Sequence, residues 1–309
     1  MNKKAAGLTA AAALLLAACG NENDENIAEG SGGENNGEDT LHVTASFSVI
    51  ADFVEQVGGE HVTVDYIVPR GEEPEEHEPT PGNFQNVADS EAFFVNGFGL
   101  ESWLQTLMDN ASETDAVVLS DGVEGIPLQG EDDVYDPHAW LDPQNVEIYA
   151  ENIKETLSEL DPDNEADYEA NMEAFVDEVM ELDAWMEEEL AEVPENNRFV
   201  TISENALVYF GERYDFETAG IWELNSHEEG TPEQISGLID ELEERQVPYV
   251  FTESTVNPNY METVSENSGV PIYEEMLYTD GVGDDDTGIA TYLDMMEHNT
   301  EAIRSALEE

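Results

Sequence analysis

The sequence predicts an α/β protein of two lobes, each a parallel sheet flanked by helices, with one long helix between them. Three observations carry that prediction. From residue 41 onward short apolar runs alternate with stretches of helical period, the same alternation restarts near residue 199, and one unbroken apolar stripe separates the two series. Alternating strand and helix signals imply βα units, whose crossovers leave neighbouring strands parallel and helices on the sheet faces. At 309 residues and 40% hydrophobic, the chain can build a sizeable core in each lobe.

The elements follow in order. Lys3 and Lys4 precede an apolar run that ends in Leu16-Ala17-Ala18-Cys19-Gly20. This is a positive segment, a short apolar segment and small residues before a cut, too short to span a bilayer as a mature helix. Residues 1–18 read as a lipoprotein signal peptide whose end resembles a bacterial lipobox, with Cys19 as the lipidated first residue of the mature chain. Cys19 is the only cysteine, so no disulfide, thiolate metal site or thiol catalysis is available to the rest. Residues 19–39 are almost wholly Gly, Ser, Asn, Asp and Glu, and read as a disordered acidic tether of roughly 25 Å root-mean-square span.

The first lobe, 40–160, is expected to carry strands at 41–46, 62–68, 92–96 and 116–120, with helices over 49–57, 82–88 and 100–108. The connecting segment, 161–194, holds Tyr168, Met172, Phe175, Val179, Leu182, Met186 and Leu190, spaced by three or four residues along one helical face. Asp161-Pro162 reads as its start and Pro194 as its stop, giving a helix of nearly thirty residues, about 43 Å long. The second lobe, 195–309, is expected to have strands at 199–203, 218–221, 249–252 and 271–273, and helices over 206–214, 232–245, 257–267 and 290–307.

Charge excludes several classes of function. With 74 Asp and Glu against 8 Lys and Arg, the formal net charge is −66. Such a surface has no basic patch to neutralise phosphates, so nucleic acid is excluded as a partner. Carboxylates this dense repel one another until salt screens them, and the acidity reads as a halophilic adaptation. Neither a phosphate-binding Gly-rich loop ending in Gly-Lys nor a His-Glu-x-x-His helix is present, so neither an ATPase nor a zincin is indicated.

Four places remain where His or a carboxylate sits in a turn: Glu75 to His77 in "GEEPEEHEPTP", His138 in "DPHAWLDP", Glu204 in "TISENALVYF" and Asp280 in "LYTDGVG". In α/β lobes, loops at the carboxyl ends of the strands are where ligands bind. Two of the four lie in each half of the chain, so a cleft between the lobes could gather all of them.

Here the chain resembles the metal-specific solute-binding lipoproteins of bacterial ABC transporters, the group that collects manganese, zinc or iron(II). The resemblance runs from 41 to 309 and is carried, in order, by "EPTP", "NGFGLESWL", "DPHAWLDPQNVEIYAENI", "IWELNSHEEGTPEQI", "FTESTV" and "YTDGVG". It implies two Rossmann-like lobes joined by one long rigid helix, with a single metal held between them by four ligands. Matched by motif, three of these are His138, Glu204 and Asp280. For the fourth, an ungapped match puts Glu75 where the family usually has His, and His77 where it has an aromatic residue. Imidazole chemistry argues for His77 and narrowly favours it over Glu75. His42, His61, His227 and His298 match no ligand position.

One or two imidazoles with two or three carboxylates make an oxygen-rich site that suits Mn(II), with Zn(II) or Fe(II) as alternatives. The resemblance implies a monomeric receptor without enzymatic turnover, anchored by lipid on Cys19 at the extracellular face of the membrane. Its partners would be an ABC permease and a separate ATPase subunit. A surface adhesin using metal structurally and a metallohydrolase are rival readings, and the second lacks a candidate base beside the ligands.

Overall fold

The computed structural model describes residues 40–308 apart from 104–106, 108–115, 129–133, 225–229 and 285. Cys19, the signal segment, the tether, His227 and part of the helix expected over 100–108 lie outside the described residues. The first sheet contains β1 (Leu41–Ala45), β2 (Val62–Tyr66), β3 (Ala92–Val95) and β4 (Ala116–Val118), all parallel in the order β2-β1-β3-β4. Every residue of β3, Ala-Phe-Phe-Val, is buried, as expected of a strand covered on both faces. Helices α1 (Ser48–Gly58) and α2 (Pro81–Asp89) follow β1 and β2. Val49, Ile50, Phe53, Val54 and Val57 form the stripe that seats α1 in the core.

The structure then departs from the expected element list. An 18-residue helix, α3 (Pro143–Leu160), precedes the connecting helix; Asp142 caps it by accepting from the Gln144 N–H at 2.9 Å, with Pro143 in its first turn. Asp161 closes α3 instead of opening the next helix, and its carboxylate takes hydrogen bonds from Asn164 and the Tyr168 hydroxyl. The connecting helix α4 (Glu165–Leu190) therefore has 26 residues, about 39 Å. It folds back along α3 through the turn at 161–164.

In the second half, β5 (Phe199–Thr201) pairs in parallel with β6 (Glu217–Ala219). The strands expected at 249–252 and 271–273 are present only as single parallel bridges, Val250 to Ile272 and Glu253 to Leu277. Phe251 N still donates to the Thr201 carbonyl at 2.9 Å, so the segment continues the array. Pro248 and Pro271 each remove a ladder donor, which shortens regular pairing there. Helices α5 (Val208–Tyr214), α6 (Pro232–Arg245), α7 (Asn259–Ser268) and α8 (Tyr292–Leu307) complete the fold. Thr231 and Thr291 open α6 and α8 with reciprocal caps from Gln234 and Asp294.

A large apolar core joins the first sheet to α4, α5 and α8, with Phe53 edge-on to Tyr149 and Tyr292 at 5.9 and 5.0 Å. A smaller core, including Phe199, Trp222, Leu242 and Met261, lies among the second sheet, α6 and α7. Within the stripe of α4 sits one buried charge, Asp183, which accepts from Arg213 at 2.7 and 3.1 Å and from the Tyr214 hydroxyl at 2.7 Å. Arg213→Ala would leave that carboxylate buried without its cation. Allowing for the partial exposure of Arg213, the expected cost is about 2–3 kcal/mol, read as a lower urea midpoint of the metal-free protein.

All six basic residues among the described residues are engaged: Arg70 with the Gly283 carbonyl, and Lys154, Arg198, Arg213, Arg245 and Arg304 with carboxylates. Most acidic side chains therefore have no cation to pair with. Thermal stability is expected to rise between low and molar KCl as screening reaches them. A midpoint unchanged by salt would show that the acidity carries no energetic burden.

Candidate metal centre

The segment after β2 is fixed at its backbone. Ile67 N and Val68 N continue the β1 pairing, Trp103 Nε1 donates to the Pro74 carbonyl at 2.7 Å, and Ser102 Oγ donates to the Glu75 carbonyl at 2.9 Å. With those anchors set, the Glu75 side chain turns into the interior and is 5% exposed. His77 goes elsewhere. Its Nε2 lies 3.2 Å from Asn83 Oδ1, its Nδ1 3.7 Å from Glu72, and its ring stands edge-on to Trp103 at 5.6 Å. The structure thus brings Glu75, His138, Glu204 and Asp280 together and places His77 apart from them, against Asn83 and Trp103. Two residues of loop do not carry both side chains to one side, because hydrogen bonds fix the backbone at 74–75.

His138 follows β4 in a turn held from behind. Glu101, buried, accepts from the N–H groups of Asn96 and Gly97 at 2.7 and 3.2 Å. Asn96 in turn donates to the Pro137 carbonyl at 2.9 Å, and Tyr149 donates to Asn96 Oδ1 at 2.6 Å. Asp136 Oδ1 receives the His138 backbone N–H at 2.9 Å and lies 3.1 Å from the ring Nδ1. Because a carboxylate only accepts, the proton belongs on Nδ1 and Nε2 is left to coordinate.

Glu204 enters from the second sheet. Its backbone bridges to Trp222, and Asn205 N donates to the Trp222 carbonyl at 2.9 Å. Gly220 crosses directly behind this turn: a Cβ there would stand 2.5 Å from Asn205 N and 2.9 Å from the Glu204 carbonyl carbon. Only glycine permits that approach. Glu253 supports the same turn by accepting from Ser203 N at 2.6 Å.

Asp280 is placed by contacts to the first lobe. Trp140 Nε1 donates to the Thr279 carbonyl at 2.9 Å, Ser48 Oγ accepts from Val282 N at 3.1 Å, and Arg70 donates to the Gly283 carbonyl at 2.6 Å. Thr279 Oγ1 donates to Asp280 Oδ2 at 2.6 Å, which leaves Oδ1 toward the interior.

These side chains meet around His138 Nε2, which lies 3.2 Å from Asp280 Oδ1, 3.5 Å from Glu75 Oε1 and 3.9 Å from Glu204 Oε1. All four residues are buried. Nε2 of His138, both carboxylate oxygens of Glu75 and Oδ1 of Asp280 have no hydrogen-bond partner. Donor atoms of Glu75, His138 and Glu204 lie within 4.8 Å of one another, as do those of Glu73, Glu75 and Asp280. Buried acceptors left open in this number are costly unless a cation fills the space between them.

The electrostatics agree. Burial pushes Glu75 up, partly offset by the His138 ring beside it, and pushes Glu204 well up, with the charge of Glu75 adding to it. Burial raises Glu253 to about 8 and, with Asp280 and Glu75 beside it, Glu73 to about 10. For His138 burial works against the charged form but is outweighed by Asp136, then Asp280 and Glu75, so its pKa stands well above the usual imidazole value. Glu75 and Glu204 thus hold their protons more firmly than free carboxyls do, and a divalent ion between them would displace those protons.

A model of the family described as the periplasmic zinc-uptake complex component A matches residues 43–306. The chain belongs to that family. Among curated relatives, the manganese-binding lipoprotein MntA of Halalkalibacterium halodurans is 48% identical over 297 residues, covering 96% of each chain. The metal ABC transporter substrate-binding lipoprotein SsaB of Streptococcus sanguinis is 38% identical over 86% of this chain and 89% of its own. Among solved structures, a manganese-bound serine-to-alanine variant of the periplasmic metal-binding protein from Candidatus Liberibacter asiaticus is 26% identical with a TM-score of 0.79, covering 87% of this chain and all of its own. The periplasmic zinc-binding protein TroA of Treponema pallidum, at 22% identity and a TM-score of 0.83, shares the fold. Family membership bears out the resemblance read from the motifs. Asp136, Glu101 and Glu253, which hold the turns around His138 and Glu204, fall inside those motifs, and sequence reasoning gives them no role; for Asp136 the signal is present, an acceptor two residues before a histidine across a proline.

Proposed function

We propose that this chain is the extracellular receptor of an ABC importer, that it captures Mn(II) between Glu75, His138, Glu204 and Asp280, and that it delivers the ion to a membrane permease served by a separate ATPase. The observation that carries the reading is the convergence of one imidazole nitrogen and buried carboxylate oxygens with no protein hydrogen bonds to satisfy them. One nitrogen and three oxygens form a hard donor set that favours manganese over zinc, for which imidazole and thiolate are stronger partners. The manganese named for the relative at 48% identity agrees, whereas the family description names zinc. The oxygen-rich donor set supports manganese. No helix among the described residues is long and apolar enough to cross a membrane, and Cys19 is proposed to supply the anchor through lipid. The anchor and the single-copy state are parts of the proposal.

Titration of the wild type, Glu75→Gln and His77→Gln with Mn(II) and Zn(II) in competition tests this. The wild type is expected to bind both ions, with the oxygen-rich donor set narrowing the usual advantage of zinc. Glu75→Gln should lose affinity for both metals by more than about 100-fold, and His77→Gln should stay within about tenfold. The opposite order would return His77 to the site, and a wild type that binds neither metal would refute the receptor reading.

A further inference from the structure

We infer that Glu73 is a fifth donor to the captured cation and the residue that widens the preference for manganese over zinc; this rests on the receptor reading above. Two groups of possible donors overlap in the centre: Glu75, His138 and Glu204, and then Glu73, Glu75 and Asp280. They share Glu75, and the 3.2 Å between His138 Nε2 and Asp280 Oδ1 links them directly. Glu75 is 5% exposed with both oxygens unpartnered, and Asp280 Oδ1 is likewise buried and unpartnered. The all-carboxylate group therefore faces buried acceptors already open to a cation, which a surface acidic cluster lacks.

Geometry allows one ion to serve both groups. With metal–oxygen bonds of about 2.1–2.3 Å, neighbouring donors of an octahedral ion stand about 3.1 Å apart and opposite ones about 4.4 Å. Donor separations up to 4.8 Å within each group are of that scale. Glu73 is placed by the same fixed loop as Glu75, one proline away, and lies beside Thr255 and Glu253 of the second lobe. Its carboxylate therefore lies where the loop of Glu75 meets Asp280 and the second lobe.

The chemical consequence is selectivity. Zn(II) is satisfied by four tetrahedral donors and gains little from a fifth, whereas oxygen-preferring ions such as Mn(II) accept higher coordination. A further carboxylate thus adds more to manganese than to zinc. The simple alternative is that Glu73 acts only through its charge, in which case every divalent ion should feel it equally.

The test compares wild type, Glu73→Gln and Glu73→Asp by competition titration with Mn(II) and with Zn(II), with circular dichroism confirming the fold. If Glu73 is a donor, Glu73→Gln should weaken manganese binding by about tenfold or more while zinc changes by less than about threefold. Glu73→Asp keeps the charge but withdraws the oxygen by one methylene, and should lose the same preference. Equal losses for both metals, a wild-type Glu73→Asp, or no change in Glu73→Gln would overturn the inference. A wild type that binds neither ion would instead overturn the receptor reading on which it rests. If Glu73→Gln does not fold, the manganese-loaded wild type decides: a Glu73 oxygen within about 2.5 Å of the ion supports the assignment, and a longer separation refutes it.

Discussion

Alanine at His138, Glu204 or Asp280 is expected to weaken Mn(II) binding by more than about 100-fold in each case. That exceeds the 10- to 100-fold typical of residues that only orient a ligand, because each of these side chains points its own donor atom at the centre. The same substitutions should not destabilise the metal-free protein as ordinary core changes do. Burial already drives the Glu204 carboxyl well above its usual range, with Glu75 adding repulsion. Glu204→Gln replaces a group whose charged form is disfavoured there with a neutral one of the same shape, so its metal-free melting midpoint should equal or exceed that of the wild type. Affinity lost together with stability retained or gained is the signature of a binding residue. Near wild-type affinity in any one variant would remove that residue from the site.

The second large effect is on pH. Glu253 stands near 8 in the folded protein, and Glu75 and Glu204 are raised as well, against an ordinary carboxylate value of about 4.3 when unfolded. Between roughly pH 4.5 and 8 the folded metal-free protein therefore holds protons that the unfolded chain has released, and its stability falls as pH rises. His138 contributes in the same sense: its raised folded pKa gives stability that is present below about pH 6.5 and lost as pH climbs through the folded value. Manganese takes the place of those protons. The metal-free midpoint should drop between pH 5 and 8, by about 2–4 °C for each kcal/mol, while saturating Mn(II) flattens the curve. Surface carboxylates affect both forms alike and cancel in the comparison. Parallel curves with and without metal would show that the buried carboxyls do not exchange protons for the ion.

His138, Glu204 and Asp280 can be singled out because each sits in a short motif that resembles the family's, and the structure brings the three side chains together. The choice between Glu75 and His77 is not legible. It depends on Trp103 and Ser102 reaching across to the carbonyls of Pro74 and Glu75, contacts separated by nearly thirty residues that no local pattern encodes. The first sheet can be read because β3 is continuously buried and apolar and the inner half of β1 is buried, with Val43 and Ala45 either side of one threonine. The second sheet is harder, since prolines interrupt its later strands and leave bridges in place of ladders. Helix α3 has its signals in view, Asp142-Pro143 at the start and Val146, Tyr149, Ala150, Ile153 and Leu157 along one face. Taken only as part of a motif they do not stand out as an element, and Asp161 then falls to the wrong helix and displaces the start of α4.

Crystals grown with Mn(II), measured at the manganese absorption edge, put the central claim to its most direct test. A single strong anomalous peak is expected within bonding distance of His138 Nε2 and the carboxylates of Glu75, Glu204 and Asp280, with the His77 ring still turned toward Asn83. A peak bonded to His77, or one seated on the acidic surface with the buried carboxylates left empty, would contradict the account.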